Sequence, residues 1–348
     1  MFAATARVLA EAVQARAFPA AVVEVGDAAR PLWSQAFGGL TFDHQAPRAR
    51  EDTIFDLASL TKVLATAPIV IQQVERGAIG LDDGVDTHVD LWRGDDRSGV
   101  TVRDLLAHCS GLPGWAPLFR ECRGREEFER AICAAGLEYV PRTRSVYSDL
   151  GFMLLGFMLT GDTPLQARFD ALRIQMGVVE DMQFNPPRLW LDRTAPTEND
   201  PWRGRVVVGE VHDENAYALG GAAGHAGLFG TAAAVGQHAR HLLQILDGKT
   251  GAFRRESLET FITRRADIPD SSRALGWDTM LASSSCGSLM SPHAFGHTGF
   301  TGTSLWIDPD RGVYVVLLTN RVHPSRANEA IKQVRPALHD AVIAALDP

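Results

Sequence analysis

The stretch "FDLASLTKVLAT", residues 55–66, begins like the end of a strand and continues like a helix. If the strand ends near Ala58, Ser59 lies in the first helical turn and Lys62, three residues later, lies on the same face. The N–H groups at a helix start favour negative charge on a serine oxygen or on a substrate carbonyl. A lysine held there away from water has a lowered pKa and can carry a proton at neutral pH. The pair is therefore a candidate nucleophile with its proton carrier.

The alternative is an ordinary helix in which Ser59 is a cap and Lys62 a surface residue, because Ser-x-x-Lys arises by chance in many chains. The residues around the pair, however, are apolar on nearly every side: Phe55, Leu57, Leu60, Val63 and Leu64. A surface helix would carry charge on one face, so we expect Lys62 to be buried. Pro68 lies in the same helical pattern, where it would cost about 3 kcal/mol in an ordinary helix. Local inconsistency of this kind is typical of functional regions.

Size and composition allow a body large enough to hold a pocket. The chain has 348 residues, 45% of them hydrophobic and 22% charged, which is enough for one large core or two smaller ones. Its net charge is −8, and no stretch gathers Lys and Arg into a basic face, so we expect no nucleic-acid partner. The cysteines show no Cys-x-x-Cys spacing, which predicts free, mostly buried thiols at Cys109, Cys122, Cys133 and Cys286.

The sequence contains no pattern typical of a targeting or membrane-spanning segment. The N-terminal apolar residues are interrupted by Arg7, Glu11 and Arg16, which favours an amphipathic helix over a signal peptide. The longest apolar runs, "VLATAPIVI" and "LGFMLLGFML", reach about half of the roughly 20 residues that a bilayer requires. We therefore expect no membrane association and a cytoplasmic location.

Strand patterns are concentrated at the two ends of the chain. The early runs "PAAVVEVGD" and "PLWSQAFGG" predict an antiparallel hairpin. A last helix is predicted from about Ser325 to Ala345, and the strand candidates before it are "ALGWDTM", "AFGHTGF", "TSLWIDPD" and "GVYVVLLTN". We expect residues 1–58 and 275–348 to form a sheet lobe and residues 59–274 a mostly helical lobe. The cleft between the two lobes is the expected place for a site.

Several motifs in a fixed order resemble one known superfamily. "SLTK" at 59–62, "YSD" at 147–149 and "HTG" at 297–299 are similar to the three motifs of the serine β-lactamases and penicillin-binding proteins, especially the class C β-lactamase-like branch with its peptidases and esterases. Further similarity lies in "GLDDGV", "TVRDLLAHCSGLPG", "GEVHDENA" and "GGAAGHAGLFGT". The resemblance implies an α/β fold of the β-lactamase/transpeptidase type, with a mainly antiparallel sheet flanked by helices and a helical insertion lobe.

The resemblance also implies a role for each motif residue. Ser59 attacks a carbonyl and becomes acylated, Lys62 and Tyr147 exchange the protons, and water then releases the acyl group. The backbone N–H groups of Ser59 and Phe300 hold the oxyanion. The residues that position the substrate are Asp149, His297, Thr298 and Gly299.

The residues of "YSD" support a catalytic interpretation and also an ordinary structural one. Tyr147 needs its pKa of about 10 lowered to act as a base, and a nearby cationic Lys62 would lower it. Alternatively, Ser148 or Asp149 simply caps the apolar helix that follows.

Two motif positions depart from the family pattern. Asp149 stands where Asn is usual, and an ionised carboxylate cannot donate a hydrogen bond to the acylamide carbonyl of a β-lactam. A carboxylate beside Lys62 also favours the charged ammonium form of that lysine, so Tyr147 is then the expected general base. His297 stands where Lys is usual and is mostly neutral at pH 7, so its attraction for a substrate carboxylate should be weaker.

The other histidines are less informative. His212 and His225 lie in motifs that resemble one sub-branch, and they either contribute to the site or are buried residues that shape a loop. His108 is expected to be structural, and His238 with His241 is expected to form a pair on a helix surface rather than a metal site. The sequence has no metal-binding, nucleotide-binding or Gly-x-Ser-x-Gly motif, so we expect no metal and no cofactor.

The predicted function is that of a serine hydrolase that forms an acyl-enzyme on Ser59 and hydrolyses a small-molecule ester or amide. The alternatives are a DD-peptidase or penicillin-binding protein, a weak β-lactamase, and a non-catalytic acyl-binding member of the fold. Retention of Ser59, Lys62 and Tyr147 together argues against the last, since a binding module needs none of the three. The physiological substrate and the oligomeric state stay open, because specificity lies in loops such as 181–205.

Overall fold

The computed structural model describes residues 1–161 and 163–347, which are arranged around a six-stranded sheet. In chain order the strands are β1 Ala20–Asp27, β2 Pro31–Gly38, β3 Phe55–Asp56, β4 Met182–Phe184, β5 Asn199–Asp200, β6 Arg205–Val206, β7 Leu228–Gly230, β8 Asp278–Thr279, β9 Phe295–Thr298, β10 Ser304–Asp308 and β11 Val313–Thr319.

The central sheet joins the two ends of the chain. Its order is β2-β1-β11-β10-β9-β8, and each neighbouring pair is antiparallel. The first two strands form the predicted hairpin, with Ala20 opposite Gly38. On its other side β1 pairs with β11, with Ala21 opposite Thr319. The prediction of a mainly antiparallel sheet built from both termini is therefore confirmed.

Helices cover this sheet and form most of the middle of the chain. They are α1 Ala3–Gln14, α2 Ala67–Glu75, α3 Val102–Leu106, α4 Gly124–Ala134, α5 Asp149–Leu159, α6 Leu165–Gln175, α7 Glu214–Ala218, α8 Ala232–Leu246, α9 Arg255–Ile262 and α10 Ile331–Leu346. Shorter 3₁₀ turns cover Ala58–Leu60, Val85–Thr87, Leu118–Arg120 and Arg188–Arg193, and one π-helical turn covers Lys62–Thr66.

Side chains alternate between the two faces of the central sheet along each strand. Both faces are buried at β1, β10 and β11, whereas β2 is half-buried to exposed. Val22 of β1 packs into a large cluster that continues into the helical middle of the chain, and α8 contacts β1 and β11 on this face. Val23 packs into a second cluster on the opposite face, which α1 and α10 cover. Apolar side chains on both faces explain why β11 is a nearly continuous run of Val and Leu.

Pro68 does not disrupt a helix, contrary to the sequence-based expectation. The π-helical turn ends at Thr66, and α2 begins at Ala67. Pro68 therefore lies in the first turn of α2, where an N–H group would have no partner within the helix. The expected cost of a proline inside a helix is avoided by this change of helix type.

The last helix begins at Ile331, six residues later than predicted. Arg326, which the periodic pattern placed in the helix, binds two carboxylates instead. Its Nε lies 2.6 Å from Glu198 Oε2, and its Nη2 lies 2.7 Å from Glu214 Oε1. These tertiary ion pairs keep residues 325–330 outside the helix.

The Pro-rich stretch 184–205 is ordered by short elements and by a buried Trp190. The four cysteines are buried and free, as predicted. Among the helices of residues 1–161 and 163–347, not one combines the length and apolarity that crossing a membrane requires.

Candidate active site

Ser59 lies in a tight turn between β3 and the π-helical turn. The strand ends at Asp56, two residues earlier than predicted, and the 3₁₀ turn Ala58–Leu60 carries the serine. Ala58 has a φ of 48°, in the left-handed region, and its N–H donates to Asp56 Oδ1 at 2.8 Å. Residues held in this conformation cost free energy and are concentrated at functional sites. The turn leaves the Ser59 side chain half-buried at the wall of a cavity.

Lys62 is fully buried, as predicted, and all three of its N–H donors are used. Its Nζ donates to Ser59 Oγ at 3.1 Å, to Asp149 Oδ1 at 2.7 Å and to the His225 carbonyl at 3.2 Å. Burial by itself would lower the pKa of Lys62, but Asp149 and Tyr147 outweigh it and raise that pKa. The lowered pKa expected from the Ser-x-x-Lys pair alone is therefore wrong, and the predicted influence of Asp149 prevails.

Tyr147 lies beside this ion pair. The centre of its ring is 4.7 Å from Lys62 Nζ, 4.6 Å from the His108 ring and 5.7 Å from the His297 ring. Burial raises the pKa of Tyr147, and the opposing effect of Lys62 does not compensate. The predicted lowering effect of Lys62 on this pKa is present, but desolvation is the larger cause and decides the net direction. Its hydroxyl oxygen is buried without a hydrogen-bond partner in the described part of the chain, which leaves this atom available to a bound substrate.

The residues on either side of Tyr147 are held by hydrogen bonds to His108, which fixes the position of Tyr147. The Ser148 N–H donates to His108 Nδ1 at 3.0 Å, and the Val146 N–H donates to the His108 carbonyl at 2.9 Å. Burial lowers the pKa of His108 well below its usual value, so the ring stays a neutral acceptor. Ser148 also caps α5, since its hydroxyl accepts the Gly151 N–H at 3.2 Å. The capping interpretation and the placement of Tyr147 at the site are therefore compatible.

The third motif lies at the end of β9, the strand next to the β8 edge. His297 is buried, and its Nδ1–H donates to the Thr298 carbonyl at 2.8 Å. Burial, together with the charges of Arg273 and Lys62, lowers the pKa of His297 well below its usual value. The ring is neutral, as the sequence predicts.

The loop after the third motif packs against the segment that leads to Ser59. A Cβ at Gly299 would lie 2.6 Å from the Leu57 carbonyl oxygen, so only glycine permits this approach. The Thr301 hydroxyl donates to the Asp56 carbonyl at 2.7 Å, and the Thr303 hydroxyl donates to the Leu57 carbonyl at 3.0 Å. These contacts hold the loop beside the nucleophile.

A buried arginine of α10 completes this anchoring. Arg335 Nη2 donates to the Gly299 carbonyl at 2.8 Å and to the Thr303 carbonyl at 2.7 Å, and burial lowers the Arg335 pKa to about 9. The Phe300 N–H, between these anchors, makes no hydrogen bond within the described residues. Sequence reasoning missed Arg335, Thr301 and Thr303, although the repeated Thr and Gly of "HTGFTGT" were a local signal for the two threonines.

His212 and His225 both line the cavity, but their polar contacts are with the protein. His225 Nε2 lies 2.8 Å from Asp213 Oδ1, and His212 Nε2 lies 2.9 Å from Glu198 Oε2. The backbone N–H of His212 donates to the buried carboxyl of Asp56 at 2.6 Å. These contacts support the interpretation in which the two histidines shape the loops around the site.

The expected surface pair on α8 is wrong. His238 is buried, and burial lowers its pKa to about 3. His241 is half-buried, and its Nε2 accepts the Ala252 N–H at 3.0 Å. Within residues 1–161 and 163–347, no group of three or more His, Cys, Asp or Glu side chains is placed to hold a metal ion.

Residues of the first two motifs, together with Phe300 after the third, line a cavity of about 380 Å³. The predicted positioning residues His297, Thr298 and Gly299 are not among its lining residues. Among the residues that line it are Ser59, Tyr147, Asp149, His212, His225 and Phe300. A larger surface cavity, of about 860 Å³, lies between α9 and the β8 edge and is lined by none of the three motifs. A nucleophile, a charged lysine and a phenol around one cavity are the groups that acyl transfer requires.

The chain is similar to several known proteins. The sequence profile of the Beta-lactamase family matches residues 5–339. An N-acetylmuramyl-L-alanine amidase of Bacillus subtilis (strain 168) is 32% identical, over 89% of this chain and 78% of its own length. A protein of Salmonella gallinarum (strain 287/91 / NCTC 13346), provisionally named a D-alanyl-D-alanine carboxypeptidase, is 29% identical over 86% of this chain and 76% of its own length.

A solved structure shares the fold. EstCE1, described as a hydrolase with promiscuous acyltransferase activity, superposes with a TM-score of 0.74 at 20% identity, covering 97% of each chain. At that identity the likeness concerns the fold, whereas the family match extends over nearly the whole sequence. This chain therefore belongs to the Beta-lactamase family, as one of its serine hydrolases.

Proposed function

We propose that the protein hydrolyses an ester or a small amide through an acyl-enzyme on Ser59. The observation that carries the proposal is the contact of 3.1 Å between Lys62 Nζ and Ser59 Oγ, beside Tyr147 and at the wall of a cavity. Ser59 Oγ forms a bond to the substrate carbonyl carbon while its proton passes to an ionised Tyr147 Oη. The charged Lys62 stabilises that phenolate. The N–H groups of Ser59 and Phe300 receive the negative charge on the carbonyl oxygen.

The second half of the reaction returns the proton. The Tyr147 phenol donates to the departing alkoxide or amine as its bond to the carbonyl carbon breaks. Water then gives a proton to the phenolate as its oxygen attacks the acyl carbon. The bond between that carbon and Ser59 Oγ breaks, the Tyr147 phenol returns the proton to Ser59 Oγ, and a carboxylic acid is released. The Bacillus subtilis relative, named for the hydrolysis of an amide, supports including amides among the substrates.

A DD-peptidase or weak β-lactamase is the second candidate, favoured by the name of the Salmonella relative. Two observations weigh against it. Asp149 accepts a hydrogen bond from Lys62 and has no N–H to offer an acylamide carbonyl. His297 is neutral, so the third motif provides no charge for a substrate carboxylate. A non-catalytic acyl-binding protein, the third candidate, would not need the contact between Lys62 and Ser59. The cytoplasmic location stays a prediction.

Covalent labelling tests the proposal. The folded protein is incubated with a fluorophosphonate and, separately, with a labelled penicillin, and the adducts are located by mass spectrometry. We expect the fluorophosphonate on Ser59 and little penicillin, and no adduct in Ser59→Ala. Penicillin on Ser59 at a comparable rate would favour the second candidate. If neither adduct forms on Ser59 in folded protein, the interpretation of the protein as an enzyme is refuted.

A further inference from the structure

Arg335 of α10 is a buried cation without an anionic partner. It is 8% exposed, and among the described residues its guanidinium pairs with no carboxylate. The charged residue that acts on its pKa is a second cation, Arg321, and burial lowers the pKa of the neighbouring His339 to about 3, so that ring is neutral. The Arg335 pKa of about 9 leaves the guanidinium charged at neutral pH. Burying an unpaired charge costs free energy, which indicates a role other than stability.

One nitrogen of this guanidinium binds the loop that follows the third motif. Nη2 donates to the Gly299 carbonyl at 2.8 Å and to the Thr303 carbonyl at 2.7 Å. The Gly299 carbonyl and the Phe300 N–H belong to one peptide group, whose atoms are joined by resonance. A hydrogen bond accepted by the oxygen of such a group polarises it and makes its N–H a stronger donor. The charge of Arg335 therefore acts on the Phe300 N–H.

The Phe300 N–H is a donor that the proposed reaction uses. Phe300 lines the same cavity as Ser59, and its N–H makes no hydrogen bond within the described residues. Stabilisation of the oxyanion is usually the largest single contribution to acyl transfer, and it depends on donors that are fixed before the reaction begins. A positive charge behind such a donor strengthens it at the point where negative charge develops.

Other contacts of the same loop lack this effect. Arg321 Nε donates to the Phe300 carbonyl at 2.7 Å, and that carbonyl belongs to the next peptide group, which carries the Thr301 N–H. The Thr303 hydroxyl donates to the Leu57 carbonyl at 3.0 Å and carries no charge. Arg335 differs from both because its hydrogen bond is made to the peptide group that carries the oxyanion donor.

We infer that Arg335 strengthens the Phe300 N–H as an oxyanion donor through the charge that it places on the Gly299 carbonyl. It is a positioning residue, since it acts through this peptide group and not on the reacting atoms. The inference rests on the proposed acyl-enzyme and adds an electrostatic effect to the anchoring of the loop. The effect applies to acylation and to hydrolysis, because a negative oxygen forms in both steps.

Substitutions that separate charge from hydrogen bonding test the inference. Arg335→Lys keeps a charge and donors, whereas Arg335→Gln keeps donors without the charge. Thr303→Val removes a neutral anchor of the same loop, and Lys332→Gln is the charge control at an exposed position of α10. kcat and KM are measured with 4-nitrophenyl acetate. Infrared spectroscopy measures the carbonyl stretch of the acyl-enzyme formed from 4-nitrophenyl trimethylacetate labelled with ¹³C at the carbonyl, because this hindered acyl group is hydrolysed slowly.

We expect Arg335→Gln to lower kcat by about tenfold to a hundredfold with little change in KM, because a donor used in the transition state is weakened. Its acyl carbonyl should absorb at a higher frequency than that of the parent, since a weaker hydrogen bond leaves the C=O bond stiffer. Arg335→Lys should restore most of both properties. Thr303→Val should lower the unfolding temperature without raising the carbonyl frequency, and Lys332→Gln should match the parent.

Thermal unfolding of each variant checks that it is folded. If Arg335→Gln does not fold, Arg335→Met takes its place, because an apolar side chain avoids the cost of burying an unpaired polar group. An unchanged carbonyl frequency in the uncharged variant, or an equal rise in Thr303→Val, would overturn the inference and leave Arg335 as an anchor alone.

Failure of the proposed function gives a different result. If a fluorophosphonate does not label Ser59 and the parent shows no acyl carbonyl band, the acyl-enzyme and the role of Arg335 fall together. If Ser59 is labelled and Arg335→Gln keeps the kcat of the parent, only the role of Arg335 is refuted.

Discussion

A single carboxylate sets the charge state of the catalytic groups. Asp149 accepts from Lys62 at 2.7 Å and holds the ammonium form, because the pair compensates for the loss of water around Lys62. The same negative charge raises the pKa of Tyr147 further above the value that burial gives it. The phenolate is therefore a minor form at neutral pH, and we expect activity to rise with pH.

Asp149→Asn should move the whole pH profile of kcat/KM to lower pH. Without the carboxylate, the pKa of Tyr147 falls, so the rise of activity begins at lower pH. The pKa of Lys62 falls as well, so its ammonium is also lost at lower pH. The profile is measured on the ester that the parent uses best, with the exposed Asp90→Asn as a charge control. Superimposable profiles for Asp149→Asn and the parent would contradict this account.

The glycine-rich loop "GGAAGHAG", residues 220–227, packs closely against α5, and this packing positions Lys62. A Cβ at Gly224 would overlap the Phe152 carbonyl oxygen of α5 and lie 2.9 Å from the Gly156 nitrogen. From this position the Gly224 carbonyl accepts the Thr66 hydroxyl at 2.6 Å, and the next carbonyl, of residue 225, accepts from Lys62 at 3.2 Å. The glycines of this loop therefore serve the fit between two backbones.

Gly224→Ala should destabilise the protein and slow acylation of Ser59. We expect a loss of about 1–3 kcal/mol in the free energy of unfolding, typical of an added methyl group in a packed interior. The loop must also shift, which lengthens the hydrogen bond to Lys62. Urea denaturation and the rate of labelling by a fluorophosphonate measure the two effects.

Gly136→Ala is the matched control for this substitution. A Cβ at Gly136 meets no atom within 4 Å, so its unfolding free energy should change by less than about 1 kcal/mol. Equal stability and equal labelling rates in the two variants would show that the loop does not depend on this close approach.

At the scale of the whole molecule, a buried polar cluster ties together distant parts of the chain. The Tyr314 hydroxyl of β11 donates to Glu24 Oε1 of β1 at 2.7 Å, and Arg240 of α8 lies 3.1 Å from the same oxygen. Burial raises the pKa of Glu24, so its charge depends on these two donors. The cluster links both ends of the chain to the helical middle on the face of the sheet that α8 covers.

Tyr314→Phe should lower the free energy of unfolding by about 1–3 kcal/mol, because a buried carboxylate loses one of its donors. Urea denaturation measures the change, and an unaltered slope with denaturant would indicate that the unfolded state is unaffected. Tyr217→Phe, at a residue that is 40% exposed, should change stability by less than about 0.5 kcal/mol. A loss no larger than that control's would mean that Arg240 alone satisfies Glu24.

The parts of the fold that could be predicted from the sequence are those with a local cause. The β1–β2 hairpin and the strands β9 to β11 follow from short runs of strand-forming residues and the turn residues between them. Ser148 as the cap of α5 and the burial of Lys62 follow from the polarity of their neighbours. The start of α10 was misplaced, because the ion pairs of Arg326 join residues more than a hundred positions apart.

The sequence motifs were sufficient to name the reactive groups, since Ser59, Lys62, Tyr147 and His297 each stand in a short motif with its own chemistry. The neutral state of His297 was predicted as well, but the balance of opposing effects on the pKa values of Lys62 and Tyr147 was not. The pKa of Lys62 rises and that of Tyr147 rises too, because burial and the charge of Asp149 act through space on groups far apart in the chain. The contact between the Arg273 guanidinium and the Tyr147 ring could not be predicted either, because the tertiary structure brings the two residues together. Among the described residues this guanidinium has no anionic partner.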